Sequence, residues 1–101
     1  MLPIRQGDIL RVEHIKGYVL VVSNNTFNQY ENAIVCPISK DQQKTALHIS
    51  IETPEIKGTV WCEQLKLLDL RVRGFSKASE LKYEDMMNIT DAIQSIFDYI
   101  Q

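Results

Sequence analysis

A chain of 101 residues can build one hydrophobic core and rarely two, so a single domain spanning residues 1–101 is expected. With 45% hydrophobic and 24% charged residues the composition is that of a folded soluble protein and excludes the polar, charge-heavy signature of disorder. The net charge of -2 and a pI near 5.6 leave no global positive field, so any nucleic acid must be held by a local basic cluster.

No apolar run approaches the ~20 residues needed to cross a bilayer. The opening Met1-Leu2-Pro3-Ile4-Arg5-Gln6 has neither a basic region nor an apolar stretch of leader length, and a cytoplasmic protein without membrane contact is expected. Cys36 and Cys62 each sit in an apolar, strand-like run and read as small buried hydrophobes. Their spacing fits no zinc pattern, and His14 and His48 are too scattered to complete one, so neither metal nor cofactor is expected.

Residues 8–13 alternate imperfectly, and residues 18–22 form a β-branched run too short for a helix; they predict two strands. Only His14-Ile15-Lys16-Gly17 separates them. Gly17 supplies the positive φ that a tight hairpin connection needs. Ser23-Asn24-Asn25-Thr26 breaks the chain, and residues 32–38 read as a third strand. Pro37 cannot donate to a ladder, which predicts an edge or a strand end there.

Residues 39–45 are polar throughout and predict an exposed loop. Residues 47–51 alternate as a half-buried strand, residues 53–58 turn the chain, and residues 59–64 and 66–70 predict further strands, with Arg71-Val72-Arg73-Gly74 at the exit. Turn signals about every ten residues suit a small barrel or sandwich. From Tyr83 onward the period changes. Met86, Ile89, Ile93, Ile96, Phe97 and Ile100 recur at steps of three and four, predicting one face of a helix of about 18 residues. Glu84 and Asp85 fall in its first turn, where the helix dipole favours negative charge.

Several short words, in one order, carry a resemblance. Arg5-Gln6-Gly7-Asp8-Ile9, Leu20-Val21-Val22-Ser23-Asn24 followed by Phe27-Asn28, Ile34-Val35-Cys36-Pro37-Ile38-Ser39, Glu63-Gln64-Leu65-Lys66-Leu67-Leu68-Asp69 and Arg71-Val72-Arg73-Gly74 together cover nearly the whole chain. In these the sequence resembles the MazF/PemK toxin family of the CcdB/MazF superfamily, as a short, divergent member. The resemblance implies a mainly β fold with a C-terminal helix, an SH3-like barrel of the CcdB/PemK type. It further implies a homodimeric toxin of a type II toxin-antitoxin pair that cuts single-stranded RNA without a metal. A cognate antitoxin, its acidic disordered tail lying in the RNA groove, would silence it.

Such cleavage uses the 2′-hydroxyl as nucleophile, and the enzyme must move protons and stabilise negative charge on the phosphorane. An arginine suits the second task because its fork donates two parallel hydrogen bonds to phosphate. The family places that arginine, followed by proline, at the start of the second strand, where this chain has Gly17-Tyr18. The preceding loop is also several residues shorter. Ser39 matches the family's catalytic threonine and keeps a hydroxyl. Lys16, one position before the absent arginine, is the nearest replacement, a point charge without the fork.

The expected catalytic pair is therefore Ser39 and Lys16, with His14, Lys40, Gln64, Arg71 and Arg73 as RNA contacts and Arg11 as a further cation. Arg71 and Arg73 alternate with Leu70 and Val72, which as a strand would point both to one phosphate-binding face. Trp61 and Tyr18 could stack a base, although a core position is expected for Trp61. Two other functions stand beside the ribonuclease. One is a non-enzymatic poison resembling CcdB, which acts through a C-terminal tryptophan where this chain ends Phe97-Asp98-Tyr99-Ile100-Gln101. The other is a barrel that has lost catalysis and kept a binding or regulatory role.

Overall fold

The computed structural model describes residues 4–41, 43 and 45–99. Seven strands and two helices follow in the order β1 (Asp8–Val12), β2 (Tyr18–Val21), α1 (Asn25–Asn28), β3 (Asn32–Ser39), β4 (His48–Glu52), β5 (Lys57–Trp61), β6 (Lys66–Asp69), β7 (Phe75–Glu80) and α2 (Tyr83–Ile96). All pairings are antiparallel, in the order β4-β5-β3-β2-β1-β7, with β6 also paired to β3. The expected architecture, mainly β with a C-terminal helix, is the one observed.

Side chains alternate across a strand, and in β1 to β3 both faces are apolar. Ile9, Leu20 and Cys36 face one way, joined by Val60 and Ile51, and α2 covers them with Met86 and Ile89. Leu10, Val19, Val21, Ala33 and Val35 face the other way, where Leu68 and Leu70 close over them. This double burial explains the unbroken apolar run of β2. One long strand, β3, holds the layers together: β2 pairs along one edge, while β6 takes residues 32–35 and β5 takes Ile38 and Ser39 on the other.

The sheet curls without closing by backbone hydrogen bonds. Its two ends meet through side chains: Ser79 Oγ on β7 donates to Glu55 Oε1 (2.6 Å) and lies 2.8 Å from Thr53 Oγ1, both in the β4–β5 turn. Ile51, Ile56 and Leu81, close in sequence to these residues, belong to the helix-covered core.

Several sequence expectations change. Pro37 lies inside β3, opposite Val19, and not at a strand end. Its missing N–H is tolerated because the edge away from β2 is interrupted there: β6 stops pairing at Val35 and β5 begins at Ile38. Residues 70–74 are a turn and not a strand. Leu70 is buried, whereas Arg71 and Val72 are both exposed, so the alternation argued for the two arginines does not exist. The missed strand is β7; with only Phe75 and Ala78 apolar it has little pattern of its own and is made by pairing with β1. The short α1, capped by Asn24 Oδ1 accepting from Phe27 N–H (2.9 Å), replaces a simple turn.

The second helix runs 14 residues and not about 18. It has no basic residue in its last turn to meet the dipole, and Phe97 leaves helical geometry at φ -104°, ψ 3°. Phe97 is consequently exposed, and Ile100 lies outside the described residues.

Candidate nucleic-acid interface

The second apolar face is not fully covered. Val19 of β2 with Val35 and Pro37 of β3 floor a groove of about 330 Å³, walled by Ile15 of the β1–β2 turn, by Gln64 and Leu65 of the β5–β6 turn and by Lys66 of β6. Ser39 continues the Pro37 face by two residues and is half-buried opposite Thr59. Its Oγ accepts the Asp41 N–H (3.0 Å), which bends the chain out of the strand. Tyr18 pairs with Ile38, so the residues just before Tyr18 flank the end of β3. Gly17, at φ 79°, turns the chain there, its missing Cβ 3.9 Å from the Ile38 carbonyl.

The register therefore directs the residues before Tyr18, exposed Lys16 among them, toward the end of β3 that carries Ser39, with Lys40 next in the chain, more than twenty residues away in sequence. His14 is exposed on the same turn and left-handed at φ 65°. Gln64 enters from the opposite wall. Of these five expected residues, Gln64 lines the groove itself; Ser39 lies two residues beyond Pro37 of its floor, and His14 and Lys16 flank Ile15 of its wall.

The arginines do not join them as expected. Asp69 pairs with Asn32 at the first residue of β3, whereas Ser39 is the last, so Arg71 is removed from Ser39 by roughly 20 Å of strand. Its guanidinium is also occupied, donating from Nε to Asp69 Oδ1 (3.0 Å) and from Nη2 to Oδ2 (2.9 Å). This fork holds the Asp69 carboxyl down to about 2. Arg73 precedes Gly74, whose N–H donates to Glu13 Oε1 (2.8 Å) and whose carbonyl accepts the Glu13 N–H (2.8 Å), so it flanks the turn that carries His14. Arg11 lies over the Tyr18 ring, 4.7 Å from its centroid. Tyr18 and Ile38 pack on the helix-covered face, opposite to Ser39, so this pair is directed away from the groove.

Lys66 is the cation the sequence reading missed. It lines the groove from the first residue of β6, and its signal was its spacing of two from Gln64, which in an extended chain puts both side chains on one side.

Next to Gln64 in the chain, Glu63 belongs to a side-chain cluster. His48 and Trp61, opposite each other on β4 and β5, stack with ring centroids 4.8 Å apart and planes 10° from parallel. Trp61 is thus half-buried against an imidazole, not sealed in the core. His48 Nε2 lies 3.0 Å from Glu63 Oε2. That bond, first among several, holds the Glu63 carboxyl below its usual range, and the neighbouring Gln64 amide adds to the effect. Cys36 and Cys62 offer no nucleophile: burial above all pushes their thiols up to about 12 and about 11.

Residues 6–97 match the model of the PemK-like, MazF-like toxins of type II toxin-antitoxin systems. The chain belongs to the PemK/MazF toxin family. No curated protein matches the sequence significantly. Among solved structures, the MazE-MazF complex from Deinococcus radiodurans contains a chain similar at a TM-score of 0.86 and 15% identity, covering 96% of this chain and 98% of that one. An endoribonuclease from a mycobacterial species gives 0.83 and 17%, covering 96% and 93%. The Mycobacterium tuberculosis toxin MazF-mt6 gives 0.74 and 17%, covering 93% and 99%. At such identities these structures establish the fold alone, and the family rests on the sequence match.

Proposed function

We propose that residues 1–101 act as one toxin domain, a metal-independent endoribonuclease cutting single-stranded RNA as a cytoplasmic homodimer. The observation that supports this reading is the register of Tyr18 opposite Ile38, which directs the Lys16 hairpin toward the Ser39 end of β3, next to a groove walled by Gln64 and Lys66. Ser39 donates a hydrogen bond to a non-bridging phosphate oxygen, and the Lys16 ammonium offsets the charge that builds on the phosphorane. The 2′-oxygen–phosphorus bond forms as its proton passes to water, the phosphorus–5′-oxygen bond breaks, and that oxygen takes a proton from water. The products are a 2′,3′-cyclic phosphate and a 5′-hydroxyl.

A homodimer is supported by the apolar surface at the end of α2, where Phe97 is 70% and Tyr99 85% exposed. An antitoxin with an acidic disordered tail fits the same cations, Lys16, Lys40 and Lys66, and would compete with RNA.

The test is single-turnover cleavage of a defined RNA in EDTA by wild type, Ser39→Ala, Lys16→Ala and Lys16→Arg, each checked for folding. Ser39→Ala is expected to slow cleavage by roughly 10- to 1000-fold. Lys16→Arg, which restores the fork one position from the family's arginine, is expected to match or exceed wild type. Equal rates in all four proteins remove both residues from the site. Binding without cleavage by any of them favours a binding module, the reading that Gly17-Tyr18 in place of arginine-proline supports.

A further inference from the structure

Stacked aromatic pairs usually earn their place by burial alone, but this one retains polar atoms that burial penalises. His48 Nδ1 and Trp61 Nε1 are both buried without a hydrogen-bond partner among the described residues, as is Thr59 Oγ1 on the same face of β5. Each such group is disfavoured relative to an apolar side chain of similar shape. A phenylalanine at position 48 would preserve the stack and avoid part of that cost. What it would lose is the bond from Nε2 to Glu63.

Glu63 stands immediately before Gln64 and three residues before Lys66, both in the groove wall. An unrestrained carboxylate there would repel RNA phosphate and attract the Lys66 ammonium away from it. The imidazole draws the carboxylate toward β4 instead. Because a carboxylate accepts only, it is Nε2–H of His48 that donates in this contact. The turn is pinned on the same side by the backbone, with Cys62 N–H donating to Leu47 O (2.9 Å) and Gln64 N–H to Trp61 O (3.1 Å).

We propose that His48 is a positioning residue for RNA binding: stacked on Trp61 and bonded to Glu63, it holds that carboxylate beside β4, outside the groove lining, and keeps it off Lys66 in the groove wall. The proposal rests on the RNA reading above for its ligand, and on the cluster's own geometry for its action.

Affinity for a fluorescent single-stranded RNA, measured by anisotropy at low salt, tests it. His48→Phe, which keeps the stack and removes the donor, is expected to weaken binding roughly three- to tenfold. His48→Gln, whose amide can still donate to Glu63, is expected to stay within about twofold. The decisive variant is the double substitution His48→Phe with Glu63→Gln, which removes the carboxylate charge and is expected to restore most of the affinity. A loss with no rescue would show that His48 serves only packing and overturns the proposal, as would unchanged binding by His48→Phe. Should the wild type bind no RNA, the RNA reading fails by itself, and the positioning role is read from the Gln64 side-chain amide signals in nitrogen-15 spectra. These are expected to move in His48→Phe and stay in His48→Gln, and no movement in either overturns the role. Should His48→Phe fail to fold, Glu63→Gln alone decides: affinity unchanged or raised supports the proposal, and affinity lost overturns it.

Discussion

Gly58 is where the fold and the proposed chemistry meet most closely. A Cβ at this position of β5 would lie 2.7 Å from Ile38 Cγ2 and 2.9 Å from the Ser39 carbonyl oxygen, against ordinary contacts of about 3.5 Å. The Ile38 methyl has some freedom, but the carbonyl is backbone, so Gly58→Ala must push the end of β3 outward by roughly 0.5–1 Å. Overpacking of this kind costs about 1–3 kcal/mol. The reduced entropy of the unfolded alanine chain returns about 0.4–1 kcal/mol, leaving a net loss of roughly 1–2 kcal/mol. The displaced group is Ser39 itself, whose hydroxyl would no longer meet the Lys16 ammonium across the same phosphate. Misplacing a reacting group by about 1 Å costs on the order of 100-fold, so cleavage should slow by roughly 10- to 100-fold, beyond what the stability loss accounts for. Urea denaturation and single-turnover RNA cleavage, both at a temperature where the variant is fully folded, read the two effects separately. Wild-type stability and rate together would refute the close-approach argument. A destabilised protein that cleaves at the wild-type rate would refute the placement of Ser39 at the reacting phosphate.

Lys66→Ala should weaken RNA binding and flatten its salt dependence by about one unit of slope, whereas Arg71→Ala, whose guanidinium is already committed to Asp69, should leave affinity within about twofold; salt titrations by anisotropy compare them. The same Arg71–Asp69 fork has a pH signature. Because the Asp69 carboxyl is depressed from 3.8 to about 2, its stabilising contribution is present above pH 3.8 and is lost as pH falls toward 2. The melting curves of wild type and Arg71→Ala should therefore differ above pH 4 and converge near pH 2. Ile89→Ala, at a position with no exposed surface beneath α2, should cost about 2–5 kcal/mol and lower Tm by roughly 10–25 °C in calorimetry. Cys36 and Cys62 should resist thiol reagents at pH 8 in the folded protein and react at once in guanidinium, since burial keeps both thiols protonated.

Much of this molecule is written in residue periodicity. The alternations of β1 and β4, the β-branched run of β2 and the three-and-four spacing of α2 depend on local geometry and on which face meets the core, and both leave marks in a single sequence. The β1–β2 hairpin was legible for the same reason: Gly17 and the short His14–Gly17 connection require a tight turn, whereas its nearness to the end of β3 came only with the β2–β3 register. The family words themselves were legible because they are local runs of sequence, and the family match over residues 6–97 agrees with them.

What pairing across the chain creates was not. Strand β7 exists because β1 offers it a ladder, and its own Ser-, Lys- and Glu-rich sequence carries almost no strand pattern. Arg71 looked like half of a phosphate-binding face until the turn at residues 70–74 removed the alternation and Asp69 took the guanidinium. Pro37 reads as a strand end, and only the handover from β6 to β5 along one edge of β3 lets it sit inside. The His48–Trp61–Glu63 cluster joins residues of two strands and a turn, so no spacing announces it. Local pattern is set by each residue's own neighbours in sequence, whereas these features depend on hydrogen bonds and charges that meet only after the sheet has curled.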